Sequence, residues 1–279
     1  MSTVSLLTAE SHFRASMNGG SNKDDSTIYF MCNEEKQDVV IEELGCYDKK
    51  EKSIHIGFSS WFNFDILATR DPSIAVIGDI SPKMIDYLDL IKAVILRSAN
   101  RESFLKNLTE ELNYQSEYFF LPKEGAVFFF ENELDRKESW LFSDEKFDVI
   151  KHMYEDDKIM HVKWNICENQ MFLEVQRLIT ENGLSVDTVY VSNIYEWLKS
   201  ADDQSGFKRN LRMILEVDSL LIDAFNSLSS EVKVGPPLRI TRKESILSDG
   251  LPSFEKERPV KRRRLMQPIV HGHRHRLFE

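Results

Sequence analysis

The chemistry in this chain starts from Asp79. It closes the short apolar run Ala75–Ile77 after Gly78, and Ser81-Pro82 and an amphipathic stretch follow at once. A carboxylate at the C-terminal end of a buried strand that turns straight into a helix can accept hydrogen bonds from a ribose diol. Three other polar positions stand at the ends of apolar runs. Gly57 follows Ile54-His55-Ile56, Asn165, Cys167 and Glu168 follow the run that begins at Ile159, and Ser192-Asn193 follow Val186–Val191. A parallel sheet would bring these four groups to one rim, because its strand ends share one edge.

The elements that must position them follow from periodicity. Met84, Leu88, Ile91, Ile95 and Leu96 recur at helical spacing, with Ser81 as N-cap and Pro82 in the first turn. Val186–Val191 is β-branched and aromatic, the strongest strand signal in the chain. Ile28–Cys32, Ile54–Gly57, Ile74–Ile77 and Ile159–Ile166 read as further strands, and Val39–Leu44 as a weak strand or helix start. Helices are expected over 101–112, 147–154 and 169–182, the last closed by Gly183. Ile194–Leu198 starts another, and 207–228 reads as one long final helix with Leu211, Ile214, Leu215, Leu221 and Phe225 on its apolar face. This alternation predicts an α/β fold: a mostly parallel, doubly wound sheet flanked by helices. Phe119-Phe120, Ala126–Phe130 and Trp140-Leu141 are apolar islands in a helical insertion at about 113–145. The expected organisation is a flexible segment over 1–25, an α/β domain over 26–230, and a basic, proline-containing extended tail over 231–279.

The net charge of −10 is unevenly spread. Residues 239–279 carry 11 basic and 5 acidic side chains, which leaves 25 basic and 41 acidic for the rest. An acidic body argues against nucleic-acid binding by the core. Lys261-Arg262-Arg263-Arg264 is a basic cluster of the kind that contacts nucleic acid, an acidic partner or a nuclear import receptor. His271, His273 and His275 alternate, but a built metal site is not expected there. Glu34-Glu35 and Asp156-Asp157 read as solvated acidic faces, and Trp61, Phe62 and Phe64 as packing residues. No apolar run is long enough to span a bilayer. The N-terminus lacks the layout of a secretory signal. Three widely spaced cysteines, Cys32, Cys46 and Cys167, fit a reducing compartment, and Cys167 reads as a small buried residue. No P-loop, HExxH helix or Ser-His-acid order supports a hydrolase.

Together the strand ends SIHIGFSSWFNFD, AVIGDISPKMI, HVKWNICEN and DTVYVSNIYEWL resemble the class I S-adenosylmethionine-dependent methyltransferase fold over about residues 50–228, in a divergent bacterial branch. The resemblance implies a Rossmann-like sheet with cofactor contacts from Gly57, Asn63, Asp79, Asn165, Cys167 and Glu168, the ribose held by Asp79. It also implies that Ser192 and Asn193 lie beside the transferable methyl group as candidate catalytic residues. The first loop departs from the family's glycine-rich pattern: Ser59, Ser60, Trp61 and Phe62 stand where smaller residues let the backbone approach the cofactor. The expected function is therefore cytoplasmic, cofactor-dependent methyl transfer. The alternative is a catalytically inactive interaction module, including one secreted into a host cell and carried to its nucleus.

Overall fold

The computed structural model describes residues 31–32, 34–59, 61–115, 130, 132–224 and 238–242. The N-terminal segment, the apolar islands over 119–129 and the tail with Lys261–Arg264 and the alternating histidines lie outside them. In chain order the elements are α1 (Gln37–Gly45), β1 (Ser53–Phe58), α2 (Phe62–Arg70), β2 (Ile74–Asp79), α3 (Pro82–Arg97), α4 (Arg101–Tyr114), α5 (Asp144–Glu155), β3 (Ile159–Lys163), α6 (Asn169–Asn182), β4 (Ser185–Ser192), α7 (Ile194–Trp197), α8 (Ala201–Ile214), β5 (Leu220–Ala224) and β6 (Leu238–Arg242).

The strands form one sheet in the order β3-β2-β1-β4-β5-β6. Neighbours from β3 to β5 run parallel, and β6 returns antiparallel to β5. The expected doubly wound α/β fold is thus present. The strands are apolar on both faces because helices cover both. On one face Ile54, Ile56 and Phe58 of β1 and Ile74 and Val76 of β2 pack with Phe172 and Val175 of α6 and Phe207 and Leu211 of α8. On the other, Ala75 and Ile77 pack against α3 through Met84, Leu88, Ile91 and Ile95, and against α5 through Phe147 and Ile150.

Local sequence explains most boundaries. Pro82 starts α3. Asn100 and Ser103 close a reciprocal capping box on α4. Gly183 ends α6 with a positive φ of 58°, the left-handed turn glycine makes at least cost. Of the two alternatives for Val39–Leu44, the helix is present, as part of α1. Two readings need correction. The expected cap at Ser81 has no side-chain bond; its backbone N–H goes instead to Asp79 Oδ1 at 2.8 Å. The long final helix over 207–228 does not exist: α8 ends at Ile214, and Leu220–Ala224 is a sheet strand. The helical spacing of Leu211, Ile214, Leu215 and Leu221 spans two separate elements whose apolar faces point into one core. Strand β6 is drawn from the segment read as tail.

One buried ion pair ties the layers together. The Arg70 guanidinium at the end of α2 makes a two-pronged contact with Asp187 of β4, both bonds 2.8 Å. Its remaining N–H groups donate to the carbonyls of Leu44, Tyr47 and Asp48. Within the expected insertion, residues 132–142 dock on α2 through Arg136, which bonds Asp65, Glu133 and Asp38.

Candidate functional site

From β1 the chain crosses to β2 on one side, and from β4 to β5 on the other. The topological switch point therefore lies between β1 and β4, and in open α/β sheets ligands bind outside the C-terminal strand ends at such a point. Two non-glycine residues flank it in left-handed backbone conformation, Ser59 after β1 at φ 67° and Ser192 ending β4 at φ 51°. The register of β4 against β5 also slips between Tyr190 and Ser192. Strained positions and bulges of this kind persist where surrounding structure holds them, and they concentrate at ligand sites.

Asp79 is half-buried at the end of β2, one strand from the switch point. Its Oδ1 accepts the Ser81 N–H and its backbone carbonyl accepts the Trp164 N–H at 2.8 Å. The carboxylate is thus oriented by the turn that starts α3, where the helix dipole favours an anion.

Gly57 is needed for a reason the sequence does not display. A Cβ there would lie 1.7 Å from Asn63 Oδ1 and 2.6 Å from His55 Nε2. The space over its backbone is filled by the chain's own amide. Asn63 Nδ2 donates to the carbonyls of Phe58 at 3.1 Å and Ser59 at 3.3 Å, which turns Oδ1 toward His55 Nε2 at 3.0 Å. An amide oxygen only accepts, so Nε2 carries the proton. Nδ1 then accepts from the Thr188 hydroxyl at 2.8 Å. Asn63 is fully buried, so in this conformation no ligand touches the residue expected to contact the cofactor. It locks the first loop to β1 and β4 instead.

This triad predicts an acid sensitivity. Burial pushes His55 down from its ordinary 6.5 to about 4. The unfolded chain takes up the proton as pH falls through 6.5, and the folded chain does so only near 4. The stability contribution is complete above pH 6.5 and is lost progressively down to about 4, to a total of about 3 kcal/mol. Urea unfolding of wild type and His55→Gln between pH 7 and 4 measures it. The wild type should lose more stability than the variant over that window, and parallel curves would exclude the triad as the cause.

The bulky residues of the first loop turn inward. Trp61 packs against Phe130 and Trp140 with ring centroids 4.9 and 5.4 Å away, and its Nε1 donates to Glu133 at 3.1 Å. Phe62 meets the Tyr190 ring at 5.2 Å. Neither is among the atoms nearest Gly57, which belong to Asn63 and His55. At Gly78 it is Trp164 that closes in, 3.0 Å from the position of a Cβ and 4.9 Å from the Phe58 ring.

Asn165, Cys167 and Glu168 serve the turn into α6. Asn165 Oδ1 accepts the Cys167 N–H at 3.1 Å, and its Nδ2 donates to Glu168 at 2.8 Å. At the end of β4, Ser192 donates to the Glu34 carboxylate and lies 3.4 Å from Asn193 Oδ1. Trp197 Nε1 donates to the same Asn193 oxygen at 3.3 Å. The Cys32 thiol also donates to Glu34 and lies 3.7 Å from the Tyr190 hydroxyl. Burial, with the neighbouring Glu34 charge acting in the same direction, holds that thiol well above its usual range. Glu34 is only 5% exposed, which corrects its reading as part of a solvated acidic face. The sequence carries no signal for this, because an acidic pair looks the same on a surface and beneath a strand end.

A mostly parallel sheet in this order, with an acid and two left-handed serines around its switch point, defines a Rossmann-like α/β domain. The chain belongs to the family described as Domain of unknown function (DUF7790), whose sequence profile matches residues 29–125 and 121–238. No curated protein matches it. Among solved structures it is similar to the glycopeptide N-methyltransferase MtfA complexed with S-adenosyl-L-methionine, at 9% identity and a TM-score of 0.36, over 80% of this chain and 72% of that one. It is similar to the same enzyme complexed with sinefungin at 11% identity and a TM-score of 0.32, with the same coverage. Among the described residues no helix is long and apolar enough to cross a membrane.

Proposed function

We propose that the strand ends at the switch point bind S-adenosylmethionine and that the domain is a methyltransferase. The observation that carries this reading is the place of Asp79: an oriented, half-buried carboxylate at the end of β2, beside the switch point. Asp79 fits the ribose diol of such a cofactor. Gly57 and Asn63 do not fit its methionine end, because the amide already fills that cradle. That end would run along Ser59 and Ser192-Asn193, where the backbone leaves both strands. The cofactor supplies the methyl electrophile; the chain's part is to bind, orient and exclude water, so catalysis by proximity needs no conspicuous base.

Calorimetric titration with S-adenosylmethionine and its demethylated product tests the reading. Both should bind, and Asp79→Ala should weaken them about tenfold or more, the worth of a hydrogen bond to a charged group. No heat with either removes the enzyme.

One observation favours a second reading, an interaction module without cofactor. The Asn63–His55–Thr188 lock and the Trp164 ring on Gly78 close the rim with the chain's own side chains. An empty titration would support it.

A further inference from the structure

The end of β4 holds a group that the cofactor reading does not use. Glu34 is a buried carboxylate whose oxygens receive the Ser192 hydroxyl and the Cys32 thiol, both neutral donors. Among the described residues no lysine, arginine or histidine pairs with it. A buried carboxylate is costly without a cation, and neutral donors compensate it only in part. Its backbone is fixed: Gln37 Nε2 donates to the carbonyls of Cys32 and Glu34, and the β6 residue Leu238 donates to the carbonyl of Glu35. The charge is therefore held in place at the end of β4. Ser192, half-buried and in left-handed backbone conformation, caps it with its hydroxyl.

A second feature lies on the same path. Trp197 on α7 is 63% exposed, unusual for the largest apolar side chain. It is tied to the strand end through Asn193, so an exposed aromatic ring and a buried carboxylate sit at the two ends of one polar chain, Trp197–Asn193–Ser192–Glu34. A buried anion linked in this way to an exposed ring offers an organic cation charge at one end and an aromatic surface at the other.

We infer that the end of β4 is a substrate subsite for an organic ammonium group, with Glu34 as its counter-ion and Trp197 as the surface on which the rest of the substrate lies. The inference names a substrate class for the methyltransferase proposed above and rests on that reading for its chemistry, though not for binding. The cation enters past Ser192 and takes over part of the hydrogen bonding that the serine now gives to Glu34.

The test uses the full chain and two probes of the same shape, 2-phenylethylammonium and the neutral 2-phenylethanol, in calorimetric titrations. The ammonium should bind at least about tenfold more tightly than the alcohol. Glu34→Gln should abolish that preference. Trp197→Ala, an exposed change that leaves the core untouched, should weaken the ammonium about threefold or more. Equal affinity for the two probes, or no binding of the ammonium, overturns the proposal, and so does a preference that survives in a folded Glu34→Gln protein. Should that variant fail to fold, the wild-type preference and Trp197→Ala decide, and unchanged binding by Trp197→Ala overturns the role of the ring. S-adenosylmethionine titrated into the same preparation separates the two readings. Cofactor binding without ammonium preference removes this inference alone, and the reverse removes the methyltransferase alone.

Discussion

Arg70→Ala lowers the stability of the fold by about 3–5 kcal/mol in urea unfolding, because it leaves Asp187 as an uncompensated buried charge. Both partners are almost fully buried, with side-chain exposures of 1% and 3%. The five N–H groups of Arg70 are all used, two on the carboxylate and three on carbonyls of the segment from Leu44 to Asp48. The substitution thus unties α1 from the sheet as well as stranding the acid. The double variant Arg70→Met with Asp187→Leu separates the two contributions. Removing both charges should recover a substantial part of the loss, since apolar pairs of similar volume often replace buried ion pairs without penalty. A single-variant loss below about 1 kcal/mol would mean that the pair is hydrated.

Trp61→Ala should cost about 3–5 kcal/mol by the same measurement, the usual penalty for emptying a large aromatic site. The ring stands at the centre of an aromatic group with Phe64, Phe104, Phe130 and Trp140. It joins α2 and α4 to the segment that carries Glu133. Trp61→Phe keeps most of the ring contact and removes only the indole donor, and should cost about 1–3 kcal/mol. If the two variants lose equally, the hydrogen bond rather than the packing holds this junction. Making the first loop more glycine-like would accordingly weaken the fold rather than improve a cofactor site.

The sheet and the place of Asp79 were legible because they rest on local signals. Apolar runs, the Ser81-Pro82 start and the glycine after α6 each belong to a few adjacent residues. The site was legible only where it repeats that logic. Asn63 looks like an available amide in sequence, but its oxygen is taken by His55, whose other ring nitrogen is held by Thr188, brought near by the pairing of β1 with β4. Glu34 is hidden in the same way, because the Ser192 that reaches it from the end of β4 is 158 positions away. The missed strand β5 has another cause. Apolar spacing in threes and fours runs without a proline or glycine break from α8 into β5, so periodicity alone joins two elements that the chain separates at Leu215–Ser219.

Strand β6 bears on how the protein is made. On the ribosome β5 emerges before its neighbour, and its Leu-Leu-Ile segment then offers an unpaired row of backbone groups to any other nascent chain. That edge stays bare until residues 238–242 are synthesised and Arg239 grips Asp223 through two bonds of 2.7 and 2.8 Å. The arginine-bearing β6 then becomes the edge, and a chain released before Leu238 would keep the apolar edge of β5 exposed.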